Sequence, residues 1–370
     1  TDPLSWFCMV VAPLLTALFF TTFMWQGLPK EMPVGLVDED NTSTTRQIAR
    51  NLDAMQQTHI AGNYADVSEA RRAMQRGEIY AFFYIPRGTT SLANQQKQPT
   101  ISFYTNYSFL VAGSLVMRDM RMMSELASGA AGRKVLYARG ATEQQAMAFL
   151  QPIVIETHPI SNPMLNYNVY LSNTLIPGIL GIFIMMMTVY AIGMEIKKGT
   201  ASEWLGMAHG SMHKALVGKL FPATCVFLLT GALMIIWLYG ILKFPCLCSP
   251  LTMMGVMALF ILASQGMGIF MITMLPTLRL GLSFASLWGV LSFSICGMSF
   301  PVMAMDAPLK GLSFLFPLRH YFLLYVNCAL DGYPLMNAWP YVAFLGFFIS
   351  LPLMCSRWLK RQLLTVKYIP

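Results

Sequence analysis

The chain is 370 residues long, 55% hydrophobic and only 11% charged, with a net charge of +8 and a mean hydropathy of +0.53. A soluble domain carries about 25% charged residues, so soluble globular and disordered classes fit poorly and an integral membrane protein is the default. The positive charge is not a nucleic-acid footprint: the basic residues stand beside apolar spans, where they set topology, and no basic patch lies on a soluble face.

Leu4–Trp25 is apolar over about 22 residues, enough to cross roughly 30 Å of hydrocarbon. It is too long for the apolar region of a signal peptide and lacks a small-residue cleavage site. Pro13 is expected to kink it, which neighbouring helices tolerate in a bilayer. Thr1-Asp2-Pro3 is an abrupt opening, and a cytosolic segment is expected ahead of it. The first division is thus 1–27, a membrane helix.

Residues 28–165 have ordinary polarity and read as a separate α/β domain. Strands are expected at Val34–Asp38, Thr58–Tyr64, Glu78–Ile85, Thr100–Tyr104 and Ile153–Thr157. Helices are expected from Asn41 to about Gln57, over Val67–Arg76 with Ser68 as cap, and over Thr89–Lys97, Phe109–Tyr137 and Thr142–Leu150.

From 166 to 370 the chain is apolar again, with spans at Asn168–Met194, Ala215–Leu242, Leu251–Leu275, Leu280–Phe300 and Ala338–Trp358. The stretch 301–337 is broken by Pro301, Pro308, Gly311, Pro317, Gly332 and Pro334 and holds Asp306, Lys310, Arg319, His320 and Asp331. It reads as short helices dipping into the membrane surface. One side of the membrane then carries Lys197, Lys198, Lys214, Lys219, Arg279 and the basic tail, and the other only Lys243, Lys310 and Arg319. The first side is expected to be cytosolic. Both ends then face the cytosol, and the α/β domain and 301–337 lie outside.

Enzyme signatures are missing: there is no phosphate-binding Gly-x-x-x-x-Gly-Lys-Ser/Thr, no nucleophile elbow and no carboxylate pair within a span. No catalytic or metal-binding residue is assigned. His209 and His213 have the spacing of a zinc pair but enclose Gly-Ser-Met, which suits a solvated loop better. His59, His158 and His320 read as isolated surface or loop histidines. Four of the seven cysteines, Cys8, Cys225, Cys296 and Cys355, fall inside spans as small packing residues. Cys246 and Cys248 form a Cys-x-Cys, weak evidence for either a metal or a disulfide.

The polar loop 195–214 is where a soluble partner can push. Glu195 ends a span, Lys197 and Lys198 sit at the membrane surface, and Gly199-Thr200 is expected to break one helix and cap the next. Ala201–Leu205 then starts a short amphipathic helix, with Glu203 suited to its N-terminal end and Trp204 and Leu205 as apolar contacts for a groove on a cytosolic partner. The bland alternative is a polar loop that only snorkels its lysines.

This loop resembles the cytosolic loop of the ABC type-2 exporter permeases. The matching residues are Glu195, Gly199, Thr200, Glu203 and Leu205, then Gly218, Lys219 and Pro222 at the next span; Ala208-His209-Gly210 stands where that family usually has a proline. Val34–Asp38, Tyr80–Pro86, Gly297–Pro301, Phe316–His320 and Ala329–Gly332 resemble further pieces in the same order, and the large insert resembles the Gram-negative drug-efflux branch.

The resemblance implies six membrane helices, an α/β extracytoplasmic domain between the first two and re-entrant helices between the last two. It implies half of a transporter, paired with a second copy or a paralogue and docked on a separate ATPase that holds ATP and Mg; this chain itself carries no cofactor. Glu195, Lys197, Lys198, Gly199, Thr200, Glu203, Trp204, Leu205 and Lys219 would couple to that ATPase. Met185, Met186, Met187, Cys296 and Met298 are candidates for an adaptable apolar path lining, with ordinary packing as the alternative. Pro301, Pro317 and Arg319 mark the re-entrant region. A periplasmic adaptor and an outer-membrane channel are implied partners, in a Gram-negative inner membrane. The cargo implied is hydrophobic or amphiphilic, such as drugs or lipids, because no charge stands mid-span to bind an ion or relay a proton. The other reading is a protein that transmits force or senses across the envelope and carries no cargo.

Overall fold

A computed structural model describes residues 3–95, 97–151, 158, 161–162 and 165–366. Its contacts divide the chain into two compact units, Thr1–Gly27 with His158–Pro370, and Leu28–Thr157. The expected strand Ile153–Thr157 lies outside the described residues.

The first span, α1 (Pro3–Phe23), opens the first unit. Pro13 cannot donate to the carbonyl one turn earlier. That carbonyl, on Met9, instead accepts from the Thr230 hydroxyl of a later span at 3.1 Å, the kind of replacement that makes proline tolerable in a bilayer.

The second unit is a four-stranded sheet with helices. In chain order its elements are β1 (Met32–Asp38), α2 (Ser43–Asp53), β2 (Thr58–Asn63), α3 (Val67–Gln75), β3 (Ala81–Ile85), α4 (Thr89–Asn94), β4 (Ser102–Thr105), α5 (Leu110–Ala138) and α6 (Glu143–Leu150). The strand order is β2-β1-β3-β4. β1 runs parallel to β2 and β3, and β4 is antiparallel to β3. Both faces are covered, so β3 reads as an unbroken apolar run. Ala81, Phe83 and Ile85 pack with Val34, Leu36, Leu52 and Val116 on one face, and Phe82 packs with Val37, Ala70 and Ala73 on the other.

Several boundaries differ from expectation, each for a local reason. α2 stops at Asp53 because that carboxylate turns to accept from the Ile60 N–H (2.7 Å) and to meet His59 Nδ1 (3.1 Å). His59 is therefore paired, not isolated. α3 is capped by Asp66, whose carboxylate accepts from Glu69 N–H at 2.7 Å, and not by Ser68. β3 starts at Ala81, not Glu78, because the Glu78 N–H is spent on the Ala73 carbonyl closing α3, with Gly77 left-handed at φ 76°. Asp40 accepts from the Thr90 hydroxyl (2.6 Å), Thr90 N–H (2.9 Å) and Gly88 N–H (2.7 Å). The Thr90 bonds hold its pKa below the ordinary carboxylate value.

Asp119 is buried and its carboxylate accepts from Gln57 N–H at 3.0 Å and the Thr58 hydroxyl at 3.2 Å. It thereby ties α5 to the start of β2. Asp119→Ala leaves two buried donors unpaired, so it is expected to destabilise this unit by about 3 kcal/mol. Asp119→Asn, which keeps one acceptor, is expected to cost about half as much. Thermal unfolding of the whole chain followed by circular dichroism checks both.

The rest of the first unit contains α7 (Tyr167–Lys198), α8 (Ala201–Met207), α9 (Met212–Ile241), α10 (Pro250–Met274), α11 (Leu278–Ile295), α12 (Ala307–Ser313), α13 (Pro317–Tyr325) and α14 (Leu335–Thr365). Among the described residues six helices are long and apolar enough to cross a membrane: α1, α7, α9, α10, α11 and α14. The fifth ends at Ile295 and not at Phe300, because Gly297 turns left-handed at φ 104°. α7 and α10 are the most buried spans. They approach closely where Gly268 lies against the Met185 backbone; a Cβ there would come within 3.0 Å of the Met185 carbonyl oxygen. Small residues at such crossings replace the hydrophobic drive that lipid removes.

Candidate functional site

The loop between α7 and α9 is built as a knot. Gly199 ends α7 in the left-handed conformation at φ 69°, with Gly199 N–H donating to Ile196 O and Thr200 N–H to Glu195 O, a glycine-type helix stop. The chain then turns directly into α8. Thr200 occupies the capping position but makes no side-chain cap. Its hydroxyl donates instead to a Glu195 carboxylate oxygen, and the other oxygen accepts from Lys219 Nζ. Lys219 comes from α9, and its ammonium also lies over the Trp204 ring, 5.0 Å from the centroid. The Glu195 and Lys219 side chains are only 18% and 23% exposed, so neither charge is freely solvated. One carboxylate thus joins the end of α7, the start of α8 and the first turns of α9.

α8 turns its apolar residues inward. Ala201, Trp204 and Leu205 are buried in the core of the helical unit. This corrects the expectation that Trp204 and Leu205 meet a partner: the chain's own spans cover them. The outward strip is Ser202, Glu203, Gly206 and Met207, with Met207 79% exposed. Lys197, Lys198 and Gly199 are exposed beside it. A polar cleft of about 400 Å³ runs between residues 195–202 and Leu363, Leu364 and Val366 at the end of α14.

The loop closes with a contact that sequence reading missed. Lys360 of α14 donates to the Gly210 carbonyl at 2.6 Å. His209 and Gly210 are left-handed there, at φ 51° and 73°. His209 is in this turn and His213 in α9, so the two histidines do not share a helix. The signal available was the His-Gly pair facing a basic last span, and neither half names its partner.

The other expected site residues are placed as follows. Met185, Met187, Cys296 and Met298 are buried in the packed core of the unit, and Met186 is half-buried. The Met298 carbonyl accepts a hydrogen bond from the Tyr170 hydroxyl of α7. Pro301 is exposed, Pro317 is buried at the start of α13, and Arg319 is half-buried with its guanidinium 5.1 Å over the Phe314 ring. His320 is buried, not at the surface: it stacks on Phe344 at 4.5 Å and meets the Phe314 carbonyl at 2.9 Å. The Cys246 and Cys248 thiols lie 3.6 Å apart. Burial pushes the Cys248 thiol up to about 12. Among the described residues no three His, Cys, Asp or Glu gather as metal ligands would.

Comparison with known proteins adds one finding. The family model described as ABC-2 family transporter protein matches residues 3–355. No curated protein and no solved structure matches the chain. With six apolar helices in place and a match running from the first span into the last, the chain belongs to the ABC-2 family of transporter proteins and is a multi-pass permease component that works with a partner ATPase subunit.

Proposed function

We propose that this permease is half of an exporter, moving hydrophobic or amphiphilic compounds such as drugs or lipids out of the cytoplasm or the inner membrane, and that the α7–α9 loop receives the ATPase stroke. The observation that carries this reading is the two-sidedness of α8. Its inner face is fixed to the spans by Trp204 and Leu205, while Ser202, Glu203, Gly206 and Met207 face outward. A helix clamped on one side and open on the other passes a push directly to α7 and α9 through Glu195 and Lys219.

Lys197, Lys198 and Lys214 are exposed around the loop, which favours a cytosolic face and leaves the sheet-containing unit in the periplasm of a Gram-negative envelope. That unit is then the natural contact for an adaptor protein and an outer-membrane channel. A second permease half, identical or related, completes the transporter. In this arrangement Met186, half-buried beside Met185 and Met187, is the member of the methionine run best placed to face the path as the halves move.

The test is co-purification with the ATPase encoded beside this chain. Wild type is expected to retain the ATPase, and Glu203→Lys with Met207→Asp to lose it at least tenfold while inserting normally, as truncating an interface anchor does. Equal retention by both would put docking elsewhere. No retention by either would remove the exporter's engine and favour the force-transmitting reading.

A further inference from the structure

Arg319 is a cation that nothing among the described residues neutralises. It stands in the first turn of α13 and is half-buried. Its Nε is closed off without a hydrogen-bond partner, whereas its two terminal nitrogens, equally without partners among the described residues, reach the surface. The groups that act on its charge are Tyr341 and Cys296, and no carboxylate is among them. Its guanidinium covers the Phe314 ring. That contact uses one face of a planar group and leaves the N–H donors in its plane free.

The level of this charge in the unit follows from its neighbours. Arg319 Nη1 lies beside Gly297, just past the end of α11, where a Cβ would come within 3.7 Å of it. The adjacent Met298 carbonyl accepts from Tyr170, in the first turn of α7. From Tyr170 to Lys197, α7 runs about 40 Å at about 1.5 Å per residue, and a bilayer measures about 40–45 Å with its headgroups. With Lys197 in one headgroup layer, Tyr170 and Arg319 stand in the other. The chain beside Arg319 exposes Phe300, Met303 and Leu315, which belong among acyl chains, so lipid borders this side of the unit. Headgroup water can satisfy the free donors but leaves the charge unbalanced. A phosphate does both, through two parallel N–H···O bonds to the guanidinium.

We propose that Arg319 holds the phosphate of one anionic phospholipid at this end of the helical unit. The inference needs only that α7 and α11 cross a bilayer, and it stands apart from the assignment of the coupling loop.

Native mass spectrometry of the purified whole chain in detergent tests it, with phosphatidylglycerol and phosphatidylcholine of the same acyl chains as competing probes. Both carry the phosphate, and only the second cancels its charge. Wild type is expected to bind one phosphatidylglycerol about tenfold more tightly than phosphatidylcholine, the difference one charge-assisted contact makes. Arg319→Met is expected to bring that ratio to about one and to remove the rise in melting temperature that phosphatidylglycerol gives wild type. Arg319→Gln, a second variant that keeps amide donors without the charge, is expected to do the same. Lys310→Met, which removes the exposed cation of α12, is expected to keep the wild-type ratio. Equal binding of the two lipids by wild type, a preference that survives Arg319→Met or Arg319→Gln, or one lost equally in Lys310→Met, would overturn the proposal. Displacement of phosphatidylglycerol by excess inorganic phosphate would overturn it too, since the site would then be one for a free anion.

Discussion

Gly266→Val is expected to abolish the folded helical unit, the largest effect of any single substitution considered for this chain. A Cβ at position 266 would lie 3.0 Å from the Phe348 carbonyl carbon and closer still to its oxygen, with the Ile349 Cα at 3.5 Å. All three are backbone atoms, so no side-chain rotation relieves the clash. Only a parting of α10 from α14 does. Overpacking a core that can shift costs about 1–3 kcal/mol; here the neighbour is a helix backbone, so the cost is expected to exceed that range. The Phe348 carbonyl faces Gly266 for a reason in the sequence: Pro352 offers it no N–H. Gly266→Ala is expected to be intermediate. Gly255→Ala and Gly346→Ala, where nothing lies within 4 Å of the new Cβ, are expected to be neutral or to stabilise by up to about 1 kcal/mol. Gel filtration in detergent and thermal unfolding check the series. A monodisperse Gly266→Val with a wild-type melting point would overturn this account.

The contrast between Gly266 and Gly255 marks the limit of what the sequence discloses. Span number and order were legible, because length and apolarity suffice for a helix in a bilayer. The α/β insert was legible too, through the unbroken apolar run Ala81–Ile85 and the cap-rich Asn41–Thr45. Which face of each span is buried was not. On an all-apolar helix the periodicity that selects a face is gone, so Gly266 and Gly255 read alike, and Met185 could be assigned either to a path or to a core.

The break between α7 and α9 and the short helix inside it were legible; which surface takes that helix's apolar face was not. Trp204 and Leu205 were expected to reach a partner because a short amphipathic helix outside a span has two possible receivers for its apolar face. The chain's own helices take it, and Lys219 is drawn over Trp204 as a result. His320 was misplaced for a related reason. A lone histidine among prolines reads as a surface residue, whereas here aromatic stacking on Phe344 and a backbone carbonyl make its burial tolerable.

Breaking the Glu195–Lys219 pair is the second large effect expected, and it separates stability from transmission. Lys219→Met leaves the Glu195 carboxylate, with its side chain 18% exposed, with the Thr200 hydroxyl and the more distant charge of Lys198. Removing one partner of a fully buried pair costs about 3–5 kcal/mol. Partial exposure lowers this, and about 2 kcal/mol is expected here. Glu195→Leu, which strands the ammonium instead, is expected to cost a similar amount. The double substitution Glu195→Leu with Lys219→Met removes both charges and is expected to melt within about 1 kcal/mol of wild type, since an apolar pair of similar volume avoids the desolvation cost. Transmission should not recover with stability. α8 is held by Glu195 through Thr200 and by Lys219 through the Trp204 ring, and the double variant has neither hold. ATPase activity stimulated by the permease is therefore expected to stay at least tenfold below wild type in all three variants, although the ATPase still binds, because Glu203 and Met207 are untouched. If stimulation returns together with the melting point, the pair serves stability alone and the stroke enters the spans by another route, for which Lys360 on the Gly210 carbonyl is the next contact to cut.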